Sequence, residues 1–132
     1  MSHPDAIILF AHGSRDPLWR APMEAVACAI TAQHPTIPVR CAYLELCTPD
    51  LPTVTIELIA NYLVSTSENM PKKFQSIRII PMFLGMGVHA RKDLPELVTA
   101  LRAAHPLVNF EVVAPIGEDA RVTALLAEMA VN

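Results

Sequence analysis

The sequence predicts an α/β fold: a four-stranded parallel sheet with helices on both faces. Three observations lead there. Short apolar runs alternate with stretches of helical periodicity four times along 132 residues. The first run, Ala6, Ile7, Ile8, Leu9 and Phe10, is apolar without alternation, which suits a strand buried on both faces of a parallel sheet. Most of the 12 prolines fall between these segments, where proline is tolerated.

The elements follow in order. Residues 5–11 form the first strand. Asp16 and Pro17 then read as a helix cap followed by proline at the first helical position, and Met23, Val26, Ala27 and Ile30 keep the i, i+3, i+4, i+7 spacing of a helix. Residues 38–46 form the second strand. Asp50, Leu51 and Pro52 open a helix over 51–63 with Val54, Leu58, Ile59 and Tyr62 on one side. Residues 74–82 form the third strand. Asp93, Leu94, Pro95 and Glu96 resemble a capping box with an acidic first residue, opening a helix that carries Leu94, Leu97, Val98 and Leu101. Residues 109–114 form the fourth strand, and Val122, Leu125, Leu126 and Met129 mark the last helix. His34-Pro35 and His105-Pro106 close helices; His3 falls on a frayed terminus. Alternating strands and helices imply right-handed crossovers, and residues 1–132 read as one domain.

Composition narrows the function classes. Hydrophobic residues make up 52% and charged residues 17%, a balance that excludes disorder and leaves apolar surface for a subunit interface. The formal net charge is −3. Lys72-Lys73 and Arg91-Lys92 are the two basic pairs, without interleaved aromatics, so nucleic acid is not an expected partner. No apolar run approaches the roughly 20 residues a membrane span needs, and the expected location is the cytoplasm. Cys28, Cys41 and Cys47 are odd in number and form no C-x-x-C pair. They read as buried free thiols, with Cys47 held as a soft metal contact.

Chemistry is expected where the strands end, since open parallel sheets bind ligands beyond their carboxyl edge, at the point where strand order reverses. His12 ends the first strand, Glu45 lies near the end of the second, and His89 follows the third. A strand order of 2-1-3-4 makes the first and third strands neighbours and sets His12 and His89 across one crevice. Two neutral imidazoles with open coordination positions suit divalent cobalt, nickel, iron or zinc; a structural zinc site needs four protein ligands. Glu45 sits among Tyr43, Leu44 and Leu46, an apolar setting that would raise its pKa and fit it to take up protons near neutral pH. Phe83, Leu84, Gly85, Met86, Gly87 and Val88 form an apolar loop before His89. Its two glycines would permit close backbone approach, and its side chains suit a flat hydrophobic ring or a second subunit. The loop has neither a G-x-G-x-x-G nor a Walker pattern, which gives a nucleotide site no support. A short internal echo, His-x-x-basic-Asp, occurs at residues 12–16 and 89–93.

These segments resemble a known family. Leu9, Phe10, Ala11, His12, Gly13, Ser14, Arg15, Asp16 and Pro17 look like the opening motif of class II tetrapyrrole chelatases. Residues 81–89, followed by Lys92, Asp93, Leu94 and Pro95, look like their second motif, and Tyr43, Leu44 and Glu45 match the strand end between them. The most similar group is the small CbiX-type sirohydrochlorin cobaltochelatases, with SirB-like relatives that insert iron or nickel. The resemblance implies a flavodoxin-like, three-layer chelatase fold, a homodimer, and no organic cofactor. It implies insertion of Co2+, with Fe2+ or Ni2+ as other metals, into sirohydrochlorin, an acidic tetrapyrrole. It places the metal on His12 and His89, and catalysis on those two and Glu45. Around them, Ser14, Arg15, Gly85, Met86, Gly87, Arg91 and Lys92 are candidate substrate contacts, the basic ones meeting the ring's carboxylates. A non-catalytic metal or tetrapyrrole carrier is the alternative. A histidine phosphatase, where arginine precedes the histidine, fits less well because Ala11 stands there.

Overall fold

The computed structural model describes residues 3–65 and 76–132, with side chains left aside at 62–65. Strand and helix alternate as β1 (Ala6–Ala11), α1 (Ala21–Gln33), β2 (Val39–Tyr43), α2 (Leu51–Ser65), β3 (Ser76–Pro81), α3 (Val88–Ala104), β4 (Asn109–Val112) and α4 (Ala120–Val131). Short 3-10 turns, Pro17–Arg20 and Ile116–Glu118, precede α1 and α4. The strands are all parallel in the order β2-β1-β3-β4. Residues 74 and 75 of the expected third strand, Lys72, Lys73 and the Tyr62 side chain lie outside the described residues.

The core explains why these segments pair. Ala6, Ile8 and Phe10 of β1, Ile77 and Ile79 of β3 and Phe110 of β4 form one sheet face. Against it pack Leu51, Val54 and Leu58 of α2 and Ala90, Leu94, Val98 and Leu101 of α3. Each large side chain so enclosed contributes about 1.5–3 kcal/mol by leaving water. The alternate residues of β1, Leu9 and Ala11, are also buried and pair in register with Cys41 and Tyr43 of β2, beside α1. Both faces therefore carry helices, and β1 is apolar throughout because it is covered twice. Helices α1 and α4 bury no residue. Leu125 (56% exposed), Leu126 (39%) and Met129 (65%) leave an apolar stripe open on α4, whose main neighbour is the Ile116–Glu118 turn.

The expected caps hold at two helix starts. Asp16 accepts the Leu18 N–H at 2.9 Å, with Pro17 behind it. Asp50 accepts the Thr53 N–H at 2.9 Å ahead of α2. The third expectation fails. Helix α3 begins at Val88, capped by extended Gly87 (φ −68°, ψ 168°), so Asp93 is not its cap and Pro95 lies inside it. The Arg91 N–H already bonds the Gly87 carbonyl at 3.0 Å. Pro95 has no N–H to donate one turn back, and burial of Leu94, Val98 and Leu101 offsets that single lost bond. The thiols also depart from expectation: Cys28 is exposed because α1 is itself a surface helix, and Cys41 and Cys47 are half-buried. His3 is not loose but stacks, tilted, on His34 with ring centroids 5.1 Å apart. His34 and His105 do close α1 and α3.

Candidate active site

Parallel pairing brings the ends of β1, β2 and β3 to one edge. His12 follows β1 directly and Glu45 follows β2 by two residues. Their loops are laced together: the Leu44 N–H bonds the Ala11 carbonyl at 2.9 Å and the Glu45 N–H bonds the His12 carbonyl at 3.0 Å. Gly13 makes this approach possible. Its φ is +106°, and a Cβ there would stand 1.8 Å from the Glu45 carbonyl oxygen. Only glycine combines that backbone with that distance.

The lacing sets two side chains together. His12 Nε2 lies 3.1 Å from Glu45 Oε1, with side chains 47% and 43% exposed. Glu45 is therefore not enclosed among apolar neighbours; its partner is the imidazole. Phe83 supports the His12 ring from below, edge-on at 6.4 Å, and packs edge-on against Phe10 at 6.0 Å. Phe83 is 7% exposed, so it is a floor for His12 rather than part of a wall.

His89 occupies the second position of α3. Its Nε2 lies 2.7 Å from Oδ2 of Asp93, one turn on, with side chains 70% and 29% exposed. The edge thus carries two imidazole–carboxylate pairs. Among the described residues, His, Cys, Asp and Glu form no group of three or more that could hold a metal; the donors stand as two pairs, each with coordination capacity to spare. Both imidazoles are borderline donors fit for a divalent transition metal, and both carboxylates can accept protons or bind cations.

The other candidates distribute around these pairs. The Ser14 hydroxyl accepts the Asp16 N–H at 3.1 Å and so shapes the turn after His12. Arg15, Arg91 and Lys92 are exposed. Met86 packs against the core and shares an open cavity of about 350 Å³ with Arg91, Leu94, Pro95, Val98, Thr99, Arg102 and Val112. A second cavity, about 320 Å³, is lined by Leu44, Asp93, Glu96, Leu97 and Ala100. Leu84 and Val88 point outward, 63% and 73% exposed. Gly85 and Gly87 have open space where a side chain would stand, so the loop's own glycines are not close-approach positions. That requirement falls on Gly117, where a Cβ would stand 1.7 Å from the Leu84 carbonyl oxygen and whose N–H bonds the Phe83 carbonyl at 2.9 Å. Sequence reading missed Gly117 and the pairing role of Asp93. Position gave no signal for the first; the i, i+4 spacing to His89 was a usable signal for the second.

Below the site lies an aromatic and thiol cluster. Trp19 meets Tyr43 edge-on at 6.0 Å and the Arg20 guanidinium lies 5.3 Å from the Tyr43 ring centre. Burial first, and the neighbouring Cys41 second, push the Tyr43 hydroxyl up to about 12. The Cys41 thiol is likewise raised, chiefly by burial.

Comparison with known proteins bears on the family and the fold. The family model CbiX matches residues 6–131. A protein from Methanococcoides burtonii named sirohydrochlorin cobaltochelatase is 31% identical over 98 residues, which is 74% of this chain and 66% of that protein; the chain thus spans just under two thirds of that relative's length. A solved CbiX protein from Marinobacter aquaeolei, named for cobalamin (vitamin B12) biosynthesis, superposes with a TM-score of 0.74 at 27% identity, covering 97% of this chain and 95% of that one. The sirohydrochlorin chelatase SirB from Bacillus subtilis subspecies spizizenii, solved in complex with cobalt, superposes at 0.71 with 22% identity. It is a likeness of fold, and this chain covers 98% of its own length but 51% of that one.

Proposed function

The chain belongs to the CbiX family, and from that premise we propose that it inserts a divalent metal, Co2+ before Fe2+ or Ni2+, into sirohydrochlorin. The observation that carries the reading is the pair of imidazole–carboxylate couples, His12–Glu45 and His89–Asp93, at the carboxyl edge of neighbouring strands β1 and β3. The name of the Methanococcoides relative supports the substrate and the metal.

The chemistry follows from the donors. The metal arrives as a substrate, partly hydrated, and two imidazoles hold it without saturating it. The macrocycle brings four ring nitrogens, two of which carry protons. Each nitrogen that bonds the metal displaces water or an imidazole, and two protons leave for one dication gained. Glu45, 43% exposed and 3.1 Å from His12 Nε2, takes a proton as its carboxylate, and a neutral imidazole released by the metal takes another. Weak holding is an advantage here, because tight four-ligand protein sites keep their metal. The apolar side chains of Leu84, Met86 and Val88 offer a surface to the flat ring. Ser14, Gly85 and Gly87 border it, and Arg15, Arg91 and Lys92 meet its carboxylates, countering the repulsion expected of a chain with net charge −3.

In this reading residues 1–132 act as one chelatase unit, in the cytoplasm, without an organic cofactor. No helix among the described residues is long and apolar enough to cross a membrane. The partner is a second copy of the chain, supported by the open apolar stripe of α4. The alternative, a carrier that binds metal or ring without turnover, makes the same contacts, so turnover separates the two. The test is the absorption spectrum of sirohydrochlorin mixed with cobalt(II), iron(II) or nickel(II), with and without the protein. Faster spectral change is expected for cobalt. Rates that are the same with and without the protein for all three metals would overturn the enzyme reading and leave the carrier.

A further inference from the structure

We propose that Asp93 is a positioning residue for His89, doing after β3 what Glu45 does for His12 after β1. The inference rests on the reading of His89 as a metal donor and deepens it. The contact is the shorter of the two couples, 2.7 Å against 3.1 Å. Asp93 is also the better enclosed carboxylate, 29% exposed, while His89 is 70% exposed. An imidazole that open has no packing to hold its ring; the carboxylate one turn on supplies the missing restraint.

The chemistry of the contact sets its consequence. A carboxylate only accepts, so the nitrogen facing it, Nε2, carries the hydrogen. In the neutral ring that leaves Nδ1 as the lone pair, and the tautomer is thereby chosen before any metal arrives. Helix geometry does the aiming: residues four apart lie on one face, and both ends of the couple belong to α3. The internal echo sharpens the point. Asp16 stands in the same relation to His12 in sequence, four residues on, yet it caps the Pro17–Arg20 turn through the Leu18 N–H. His12 instead takes its carboxylate from the neighbouring loop, through Glu45. Two different backbone solutions deliver one arrangement, an imidazole whose Nε2 is held by an acid.

The experiment uses the full chain and its Asp93→Ala, Asp93→Asn and His89→Ala variants. Long-range proton–nitrogen correlation spectra of the metal-free protein should show the Nε2–H tautomer at His89, giving way to a tautomer mixture in Asp93→Ala. Cobalt(II) affinity by titration calorimetry should weaken about 10–100-fold in Asp93→Ala, the range for loss of a group that orients a metal ligand. Asp93→Asn keeps an oxygen acceptor for the same hydrogen bond, so its affinity should stay within about threefold of the parent. Urea unfolding midpoints check that all variants fold. An Asp93→Ala variant that binds cobalt like the parent, while His89→Ala binds weakly, overturns the positioning role and leaves the metal reading standing. An Asp93→Asn variant as weak as Asp93→Ala overturns it in favour of direct ligation. Unchanged binding in His89→Ala removes the metal reading of His89 and the proposal with it.

Discussion

Replacing Gly13 by alanine tests how the first half of the site is held. The backbone there has φ +106°, a region that costs a residue with a side chain about 1–3 kcal/mol. The new methyl would lie 1.8 Å from the Glu45 carbonyl oxygen, less than van der Waals separation by more than an ångström. Neither atom is the end of a flexible side chain, so the two loops must part. Parting them loses the 3.0 Å bond from the Glu45 N–H to the His12 carbonyl, worth about 1 kcal/mol. The expected destabilisation is about 2–4 kcal/mol, read as a fall of about 1–2 M in the urea midpoint at an ordinary slope for this size. The same movement separates Glu45 from His12, so cobalt binding should weaken as well. A Gly13→Ala protein within about 0.5 kcal/mol of the parent, the range of an ordinary surface change, and with parental cobalt affinity, would refute the argument.

Gly85→Ala should be nearly neutral, within about 0.5 kcal/mol, because nothing lies within 4 Å of the added methyl; Gly117→Ala, by contrast, should cost about as much as Gly13→Ala by the same urea measurement, its methyl meeting the Leu84 carbonyl at 1.7 Å. Asp50→Ala removes the cap on α2 and should cost about 1 kcal/mol. The Thr53 hydrogen bond lowers the Asp50 pKa, so this contribution is present above the unfolded carboxylate value and is lost as pH falls through the lower folded one. The Asp50→Ala protein should accordingly lose less stability on acidification than the parent. Tyr43 gives the opposite dependence. Its hydroxyl is pushed up to about 12, so between pH 10 and 12 the unfolded chain loses a proton that the folded one keeps, and stability falls with rising pH. Tyr43→Phe should flatten that alkaline fall in a series of urea titrations.

The framework was legible because its signals are local or periodic. The unbroken apolar run of β1 told of burial on both faces, and the spacing of Leu94, Val98 and Leu101 gave the buried side of α3. Placing His12, Glu45 and His89 at one edge needed only parallel strands. Contacts fixed by the third dimension were not legible. The start of α3 was set six residues late because Pro95 reads as a boundary, whereas burial further along the helix carries it through. Glu45 looked enclosed because its sequence neighbours are apolar, but β2 stops at Tyr43 and the chain turns the carboxylate outward toward an imidazole. Gly85 and Gly87 drew attention by their neighbours, yet the backbone crowding lies at Gly13 and Gly117, each against a segment remote in sequence.

Those two glycines divide responsibility within the site. One clamps the His12 loop to the Glu45 loop, the other pins the start of the apolar loop beneath Leu84, and in both the touching surfaces are main chain. The His12 and Glu45 loops are therefore set against each other by backbone on backbone, apart from the side chains that line the apolar loop. Leu84 and Val88, open to solvent, are free to be exchanged for other sizes and shapes while His12 and Glu45 stay in register. On the proposed reading, a site built this way can be refitted to a different flat ligand by recutting its lining, with His12 and Glu45 left where they are.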